Sequence, residues 1–399
     1  MRAIRKTCYC EIEFLKEFLS SRPTLLEAND ESILAMSNWV SIYQFICRSE
    51  LVLNISASEF GYLKNNDAWL QMLWKKSSNG ECGLEFVSQS AFPDIANLEI
   101  TKADAKILNA VYLTAQNDTI CIKQSKRYGV IVLNVNLAKG CSHLFSDNGT
   151  EFPSSEAQDW KFLRGLNALY PSLNICNCMI IVDNYLFTDN IGKGADEKLE
   201  YNLKPILREL LPESLDEGAI FELAIFTEER KEDNTPLKGF EKQYNYIRSL
   251  ISKIRPKLKF KICIYAKVKD SFHDRSLLTN NVWISSGHGF DIFGKTKDVK
   301  KPTSISIAFP FIQSKLLWCD GAYINVITKA NAICNRLVEK DNYWGDKEQS
   351  NRIISKYCSL KNDKTNKPTQ QNPPTHLAAG MTIDLSKLPG YSKWGKRRF

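Results

Sequence analysis

The chain has 399 residues, of which 43% are hydrophobic and 25% charged, and its formal net charge is +8. This length and apolar content are ordinary for a globular protein of two or three domains with proper cores, which excludes a disordered chain. No signal peptide is visible, no apolar run approaches the roughly 18 residues of a membrane span, and twelve cysteines indicate free thiols, so we expect a cytoplasmic location.

Residues 1–165 are predicted to form a separate N-terminal α/β domain. Apolar residues at helical spacing alternate here with short strand-like runs. The predicted helices are Glu11–Ser20, Asn38–Arg48, Ala68–Lys75 and Lys102–Ala115, and the predicted strands are Thr119–Ile122 and Tyr128–Val135.

The stretch LTAQNDTICIKQSKRYGVIVLN, residues 113–134, resembles the later half of a PIN-like nuclease domain. Domains of that kind gather carboxylates around a divalent metal, and the resemblance would implicate Glu11, Glu59 and Asp118. Scattered surface acids are far commoner than metal sites. We therefore predict no metal or other cofactor, and we expect this domain to serve in recognition or dimerisation.

Two close pairs of cysteines have one intervening residue each, Cys8 with Cys10 and Cys176 with Cys178. Zinc knuckles have two intervening residues, and both pairs lie in apolar, strand-like runs. We predict buried free cysteines rather than metal ligands.

Residues 166–360 are predicted to form a second α/β domain, after a polar, turn-rich junction at 144–159. Strands alternate with helices, which favours βαβ crossovers and a mostly parallel or mixed sheet. The predicted strands are Asn177–Phe187, Phe221–Thr227, Phe260–Ala266 and Thr303–Ile312, and the predicted helices are Glu200–Leu211, Phe240–Ile254, Ala322–Lys340 and Glu348–Lys356. Residues 361–399 are predicted to be a flexible linker and a basic tail, which either contacts phosphates or only solubilises the chain.

A His-x-Arg dyad, His273 and Arg275, directly follows the third of these strands. An imidazole can attack phosphorus as a nucleophile while a cationic neighbour holds the phosphoryl oxygens. In an extended segment residues i and i+2 point to the same face, so the two side chains are suited to a single phosphodiester. The aromatic residues Trp283 and Phe290 that follow are predicted to be core residues.

The spacing His273, Arg275, Asn280 and Gly287 resembles the phospholipase D superfamily motif, His-x-Lys, four residues, Asp, then about six residues to Gly-Ser. The run HDR, NN, W, I, G-x-G and D-x-F is most similar to the phospholipase D-like C-terminal domain of MIT-domain proteins. The resemblance covers roughly residues 170–330. It implies a C-terminal phospholipase D-like half-domain that is preceded by a separate N-terminal α/β domain.

The resemblance assigns roles to several residues of the motif. His273 would be the nucleophile and Arg275 the phosphate ligand, while Asn280 takes the place of an Asp that orients the imidazole, which an amide does poorly. Ser286 would support the histidine, and His288 would be either a proton donor or a turn histidine. Only His273 among the four histidines is followed by x-Arg or x-Lys, so a complete two-histidine site would require a homodimer.

The segment 251–301 carries twelve Lys or Arg against four Asp, a net charge of +8. A basic field beside a phosphate-handling motif favours a polyanionic partner, although such runs are often only solvated faces. The lysines that we predict to contact phosphates are Lys267, Lys269, Lys295 and Lys297.

Two classes of function remain open. The first is a metal-independent phosphodiesterase, a nuclease acting on DNA or RNA, of the kind found in bacterial anti-phage defence with a protein partner. The second is a catalytically inactive module that binds nucleic acid or anionic lipid for a partner protein. We favour the first, and we do not expect membrane binding, because no amphipathic helix with a broad Leu and aromatic face is visible.

Overall fold

The protein is described here by a computed structural model, which divides into two units, Met1–Lys361 and Asn362–Phe399. The structure describes residues 6–24, 30–97, 105–141, 145, 150–153, 159–160, 163, 174–184, 186–187, 199–216, 218–228, 231–232, 235–236, 240–267, 275–287, 289–295, 299, 302–308, 326–334, 343–346 and 351–354. The predicted linker and basic tail at 361–399 lie outside the described residues.

Among the residues that the structure describes, five parallel strands form the first sheet. In chain order these are β1 (Thr7–Cys10), β2 (Glu50–Leu53), β3 (Gly83–Phe86), β4 (Val111–Leu113) and β5 (Ile131–Leu133). Their order across the sheet is β3-β2-β1-β4-β5. Parallel neighbours need crossover connections, and helices supply them. The helices are α1 (Ile12–Ser20), α2 (Asp30–Arg48), α3 (Ala57–Asn65), α4 (Ala68–Ser78), α5 (Ala105–Leu108), α6 (Asp118–Tyr128) and α7 (Val135–Gly140).

Two of the predicted elements in this region are wrong. The helix predicted over Lys102–Ala115 is helical only in α5 among its described residues, and its apolar end forms the fully buried strand β4. The strand predicted over Thr119–Ile122 lies in α6, which the Asn117 side chain caps and which ends at Gly129 with a φ of 62°. A short apolar run fits a buried strand or a buried helix equally well, so only the sheet decides between them.

Within the described ranges, eight strands form the second sheet. They are β6 (Thr150–Pro153), β7 (Cys178–Val182), β8 (Phe221–Glu228), β11 (Phe260–Lys267), β12 (Arg275–Thr279), β13 (Trp283–Ser286), β14 (Ser304–Ala308) and β15 (Tyr343–Gly345). Their order across the sheet is β15-β11-β8-β7-β12-β13-β14-β6. Strands β7, β8 and β11 are parallel to one another and the other pairings are antiparallel, so the sheet is mixed. The predicted α/β fold class is confirmed.

The remaining elements flank this sheet or extend from it. A π-helical turn, Leu199–Leu203, continues into α8 (Lys204–Leu210), and α9 (Glu241–Ile254) lies between β8 and β11 in the chain. Strands β9 (Lys231–Glu232) and β10 (Thr235–Pro236) form a separate pair, and residues 326–334 and 352–354 are helical. Among the described helices, none is both long and apolar enough to cross a bilayer.

Both faces of the second sheet are buried. Ile180 and Val182 on one face of β7 belong to an apolar cluster that also contains Cys8 and Leu51 of the first sheet, so the two sheets share a core. Ile181, on the other face, packs in a cluster with residues of α8 and α9. Burial on both faces explains why these strands are continuous apolar runs rather than alternating ones.

The predicted burial of the paired cysteines is confirmed, since Cys8, Cys10, Cys176 and Cys178 are all 0% exposed free thiols. Burial also raises the pKa of the Cys263 thiol to about 11 and that of Cys178 to about 12. A thiol reacts as the thiolate, so these groups should be nearly inert at neutral pH.

We expect iodoacetamide at pH 8 to label the native protein, among the described cysteines, only at the partly exposed Cys141 and Cys334. At that pH a thiol with a pKa near 11 is ionised to only about one part in a thousand. Mass spectrometry of the labelled peptides measures this, and the protein unfolded in guanidinium should label at all twelve cysteines. Rapid native labelling of Cys8 or Cys178 would contradict the buried positions.

Candidate functional site

The described part of the predicted motif begins with Arg275, at one edge of the second sheet. Strands β7, β8 and β11 end there, β12 begins there, and β13 ends there, because β12 is antiparallel to both of its neighbours. In sheets of this kind the crevice outside the carboxyl ends of parallel strands is the usual place for a ligand. Arg275, the first residue of β12, therefore lies where a functional site is expected.

The strand registers bring one polar residue from each of four neighbouring strands into line across this edge. Strand β7 pairs with β8 on one side and β12 on the other, and β12 pairs with β13. Strands are about 4.8 Å apart, and side chains in line across a sheet point to the same face. We call these four residues the strand-end row: Thr227, Asp183, Arg275 and Ser286.

The strand registers place adjacent members of the strand-end row side by side. Arg275 is directly opposite Ser286. Val182 is opposite Ser276, so Asp183, the next residue, falls beside Arg275. Its backbone N–H continues the ladder to β8 by donating to the Phe226 carbonyl at 3.0 Å. The row is on the face that packs against α8 and α9.

Two hydrogen bonds connect the tight turn after β13 to residues of the strand-end row. The Ser286 hydroxyl donates to the Gly289 carbonyl at 2.6 Å, and Oδ2 of Asp183 accepts from the Phe290 N–H at 2.8 Å. Gly289 has a φ of 92°, and a Cβ there would lie 2.9 Å from that same Oδ2. Glycine is required at 289 because of both the backbone conformation and the closeness of the carboxylate.

A second buried side chain holds the segment after the turn. Asn202, in the π-helical turn, accepts from the N–H groups of Ile292 and Phe293 and donates to the Phe293 carbonyl at 3.0 Å. The predicted core positions Trp283 and Phe290 are confirmed, with 7% and 2% exposure. Hydrogen bonds from buried side chains therefore hold both the turn and the segment that follows it.

Arg275 is half-buried, and its Nη1 donates to the Gly287 carbonyl at 3.3 Å. The guanidinium thus lies over the turn to which Ser286 and Asp183 are hydrogen-bonded. A planar, always charged group in such a position can bind phosphoryl oxygens with two parallel hydrogen bonds.

The structure brings together two of the five residues that we predicted to be catalytic, Arg275 and Ser286. His273 and His288 lie outside the described residues, as do Lys269 and Lys297. Of the other two lysines predicted to contact phosphates, Lys267 ends β11, with its side chain outside the described part, and Lys295 is exposed.

Asn280 is not near this edge. It follows the last residue of β12, so it lies roughly 15 Å from Arg275 at the opposite end of the strand. It is 0% exposed, its Nδ2 donates to the Gly129 carbonyl at 2.8 Å, and its Oδ1 accepts from the Asn177 N–H at 3.0 Å. These contacts join the second sheet to the end of α6, so the structure gives Asn280 a structural position away from Arg275.

We expect Asn280→Asp, which restores the superfamily carboxylate, to lower the free energy of unfolding by about 3 kcal/mol without raising any activity. The substitution removes the donor to Gly129 and buries a charge that faces a carbonyl. Urea denaturation and a cleavage assay measure the two effects. Asn65→Asp, the same change at an exposed helix end, is the control. A stable Asn280→Asp protein with increased activity would contradict the structural role.

The basic residues of segment 251–301 that the structure describes are divided between the two ends of the sheet. Lys257 and Lys259 precede β11 and lie at the end opposite Arg275. At that end the Arg255 guanidinium donates hydrogen bonds to the carbonyls of Leu211 and Arg208. The expectation that this charge surrounds the motif is therefore only partly met within the described residues.

The three acids suggested by the PIN-like resemblance follow different strands of the first sheet. Glu11 directly follows β1 and accepts at 2.8 Å from the Thr114 hydroxyl, whereas Asp118 begins α6 and accepts from Asn134. Glu59 instead caps α3 through Ser56, whose hydrogen bonds hold its pKa below the usual range. Across the described part of the chain, no group of three His, Cys, Asp or Glu side chains is arranged to hold a metal ion.

Sequence reasoning did not assign a role to Asp183. Its local signal is an apolar run, Cys178–Val182, that ends abruptly in Asp-Asn. A carboxylate directly after a buried parallel strand is a common position for a functional side chain. That this strand lies beside β12 follows only from the sheet order.

No protein-family model matches this chain, and neither does any curated protein. Among solved structures, it is similar to the crystal structure of phosphatidylserine synthase from Haemophilus influenzae Rd KW20, with 9% sequence identity and a TM-score of 0.22. The match covers 50% of this chain and 44% of that chain, so it spans less than half of the synthase. An overlap of this size does not establish a common fold, and the phospholipase D-like fold remains a prediction from the motif.

Proposed function

We propose that this protein is a phosphodiesterase that cleaves nucleic acid by phospholipase D-like, metal-independent chemistry. The observation that supports this most is the position of Arg275, which is half-buried at the edge where the parallel strands β7, β8 and β11 end and is opposite Ser286. Covalent geometry keeps the Cα of His273 within about 7 Å of the Cα of Arg275. The proposed nucleophile is therefore close in the chain to a cation that can bind phosphate.

In this mechanism the His273 imidazole attacks phosphorus and forms a P–N bond, while the P–O bond to the leaving oxygen breaks. The leaving oxygen takes a proton from a general acid. Water then attacks phosphorus and gives up its proton to the same group, and the P–N bond breaks, which frees His273 and releases the phosphate monoester. Arg275 stabilises the charge that builds up on the non-bridging oxygens in both steps.

The general acid is a second imidazole. Two sources are available, His288 in the same chain and His273 of a second copy, and the second source requires a homodimer. The phosphate contacts of Lys267, Lys269, Lys295 and Lys297 are also part of the proposal. They would bind the backbone rather than the bases, which predicts weak sequence preference and strong salt dependence.

The test is cleavage of labelled single- and double-stranded DNA and RNA by the purified protein in EDTA, beside His273→Ala. Cleavage by the wild type alone supports the proposal, and the best substrate identifies the nucleic acid. EDTA-sensitive cleavage that His273→Ala retains would overturn it. Binding of nucleic acid by both proteins without cleavage would favour the inactive binding module instead.

A further inference from the structure

A buried polar junction connects the first sheet to the second. Asn177 directly precedes β7 and Asn280 directly follows β12, so both amides lie at the end of the second sheet opposite Arg275. Both are 0% exposed, and the Asn177 N–H donates to Oδ1 of Asn280 at 3.0 Å. The side-chain N–H groups of the two amides donate hydrogen bonds to residues that flank the first sheet.

These amides supply the partners that the ends of two helices lack. The last carbonyls of a helix have no partner within it. Nδ2 of Asn177 donates to the carbonyls of Leu108, the last residue of α5, at 2.7 Å, and of Tyr128, the last residue of α6, at 2.9 Å. Nδ2 of Asn280 donates to the carbonyl of the next residue, Gly129, at 2.8 Å. Strands β4 and β5 begin shortly after these helix ends, so the second sheet holds the start of each.

The backbones of the two parts come very close at this junction. Gly129 has a φ of 62°, and a Cβ there would lie 2.4 Å from the carbonyl carbon and oxygen of Cys176. Glycine is therefore required by both the conformation and the approach. Because Asn177 and Asn280 are fully buried, water cannot replace their hydrogen bonds unless the two sheets separate.

Two buried cations extend the junction. Lys6, which directly precedes β1 and is 0% exposed, donates to the Asn280 carbonyl. Arg352 is 3% exposed and donates to the Asn177 carbonyl at 2.9 Å, while its own carbonyl accepts from Nδ2 of Asn109, the residue after α5, at 3.3 Å. Opening either sheet alone would take these partners from buried charges and carbonyls, which costs free energy.

We propose that this junction makes the two sheets one cooperative unit, so that neither sheet opens without the other. The shared apolar core acts in the same direction, since Val182 of the second sheet and Leu51 of the first belong to one cluster. Domains joined by few contacts usually open separately. Here the junction couples the first sheet to the edge that carries Arg275, so a ligand bound at that edge stabilises both sheets.

The experiment is hydrogen exchange of the full chain, measured by mass spectrometry on peptides from β4 and β5 and on peptides from β8 and β11. The variant is Ile247→Val, because Ile247 of α9 is 0% exposed and packs on the face of the second sheet away from the first. We expect the slowest amides of both sets to exchange faster by the same factor, about 3- to 10-fold, since the substitution destabilises the whole unit that contains it.

A second variant tests the junction itself. Asn177→Ser removes the donors to Leu108 and Tyr128, and it should accelerate exchange in β4 and β5 as much as in β8 and β11. Asn66→Ala is the matched control, because Asn66 is an exposed amide at the end of α3 that donates to the Tyr62 carbonyl at 3.2 Å. Its exchange should equal that of the wild type in both sets.

Two results would overturn the proposal. One is faster exchange of β8 and β11 in Ile247→Val while β4 and β5 keep the wild-type rates. The other needs no variant. With increasing urea, the opening free energies of the two sets in the wild type should converge on one value with one slope, and two separate values would mean that the sheets open independently.

Discussion

Replacing His273 by alanine is expected to abolish cleavage of nucleic acid while leaving the fold unchanged. The expected loss is at least about ten-thousand-fold in kcat/KM, because the proposed mechanism passes through a covalent P–N intermediate that alanine cannot form. Single-turnover cleavage of the best substrate, with enzyme in excess, measures the chemical step directly. Binding of that substrate should change by less than about tenfold, since the phosphate-binding cations remain.

The controls for His273→Ala are designed to exclude unfolding and general effects of losing a histidine. His143→Ala is the matched variant, because His143 is not followed by x-Arg or x-Lys. Circular dichroism and the thermal midpoint should agree among all three proteins. Acid quenching of the wild type with labelled substrate should trap a phosphohistidine that His273→Ala lacks. Full activity in the alanine protein would rule out the imidazole nucleophile.

Replacing Arg275 by alanine is expected to lower kcat/KM by about 100- to 1000-fold. The guanidinium lies over the turn at Gly287 and is the described cation best placed to stabilise charge on a phosphoryl group. Arg275→Lys should recover about tenfold of the loss, because a lysine restores the charge but not the two parallel hydrogen bonds. Steady-state kinetics of the three proteins at one salt concentration measure this.

Lys253→Ala is the matched control for Arg275. It removes one positive charge from the same basic segment, but at an exposed position near the end of α9, away from the strand-end row. Its cleavage rate should equal that of the wild type. Equal losses in the two variants would mean that overall charge, and not a placed guanidinium, supports the activity.

The local elements of this fold could largely be predicted from the sequence. The amphipathic helix α9 and the apolar strands β8 and β11 agree with their predicted bounds to within about one residue. Each element is long enough that its periodicity, or the length of its apolar run, distinguishes a helix from a strand. The short strand β2 was missed and β4 was assigned as helix, because three or four residues carry no period.

The chemical types in the motif were also visible in the sequence, since the His-x-Arg dyad and the Ser286-Gly287 pair are local patterns. Their arrangement was not. Spacing alone placed Asn280 with His273, but an extended strand carries residue 280 roughly 15 Å from Arg275.

Only the tertiary structure decided which side chains share the edge. Asp183 precedes Arg275 by 92 positions in the chain, and the antiparallel pairing of β7 with β12 brings the two side by side. A sequence states the order of strands along the chain but not their order in the sheet. Sheet order and register, which depend on the packing of both faces, determine the composition of this candidate site.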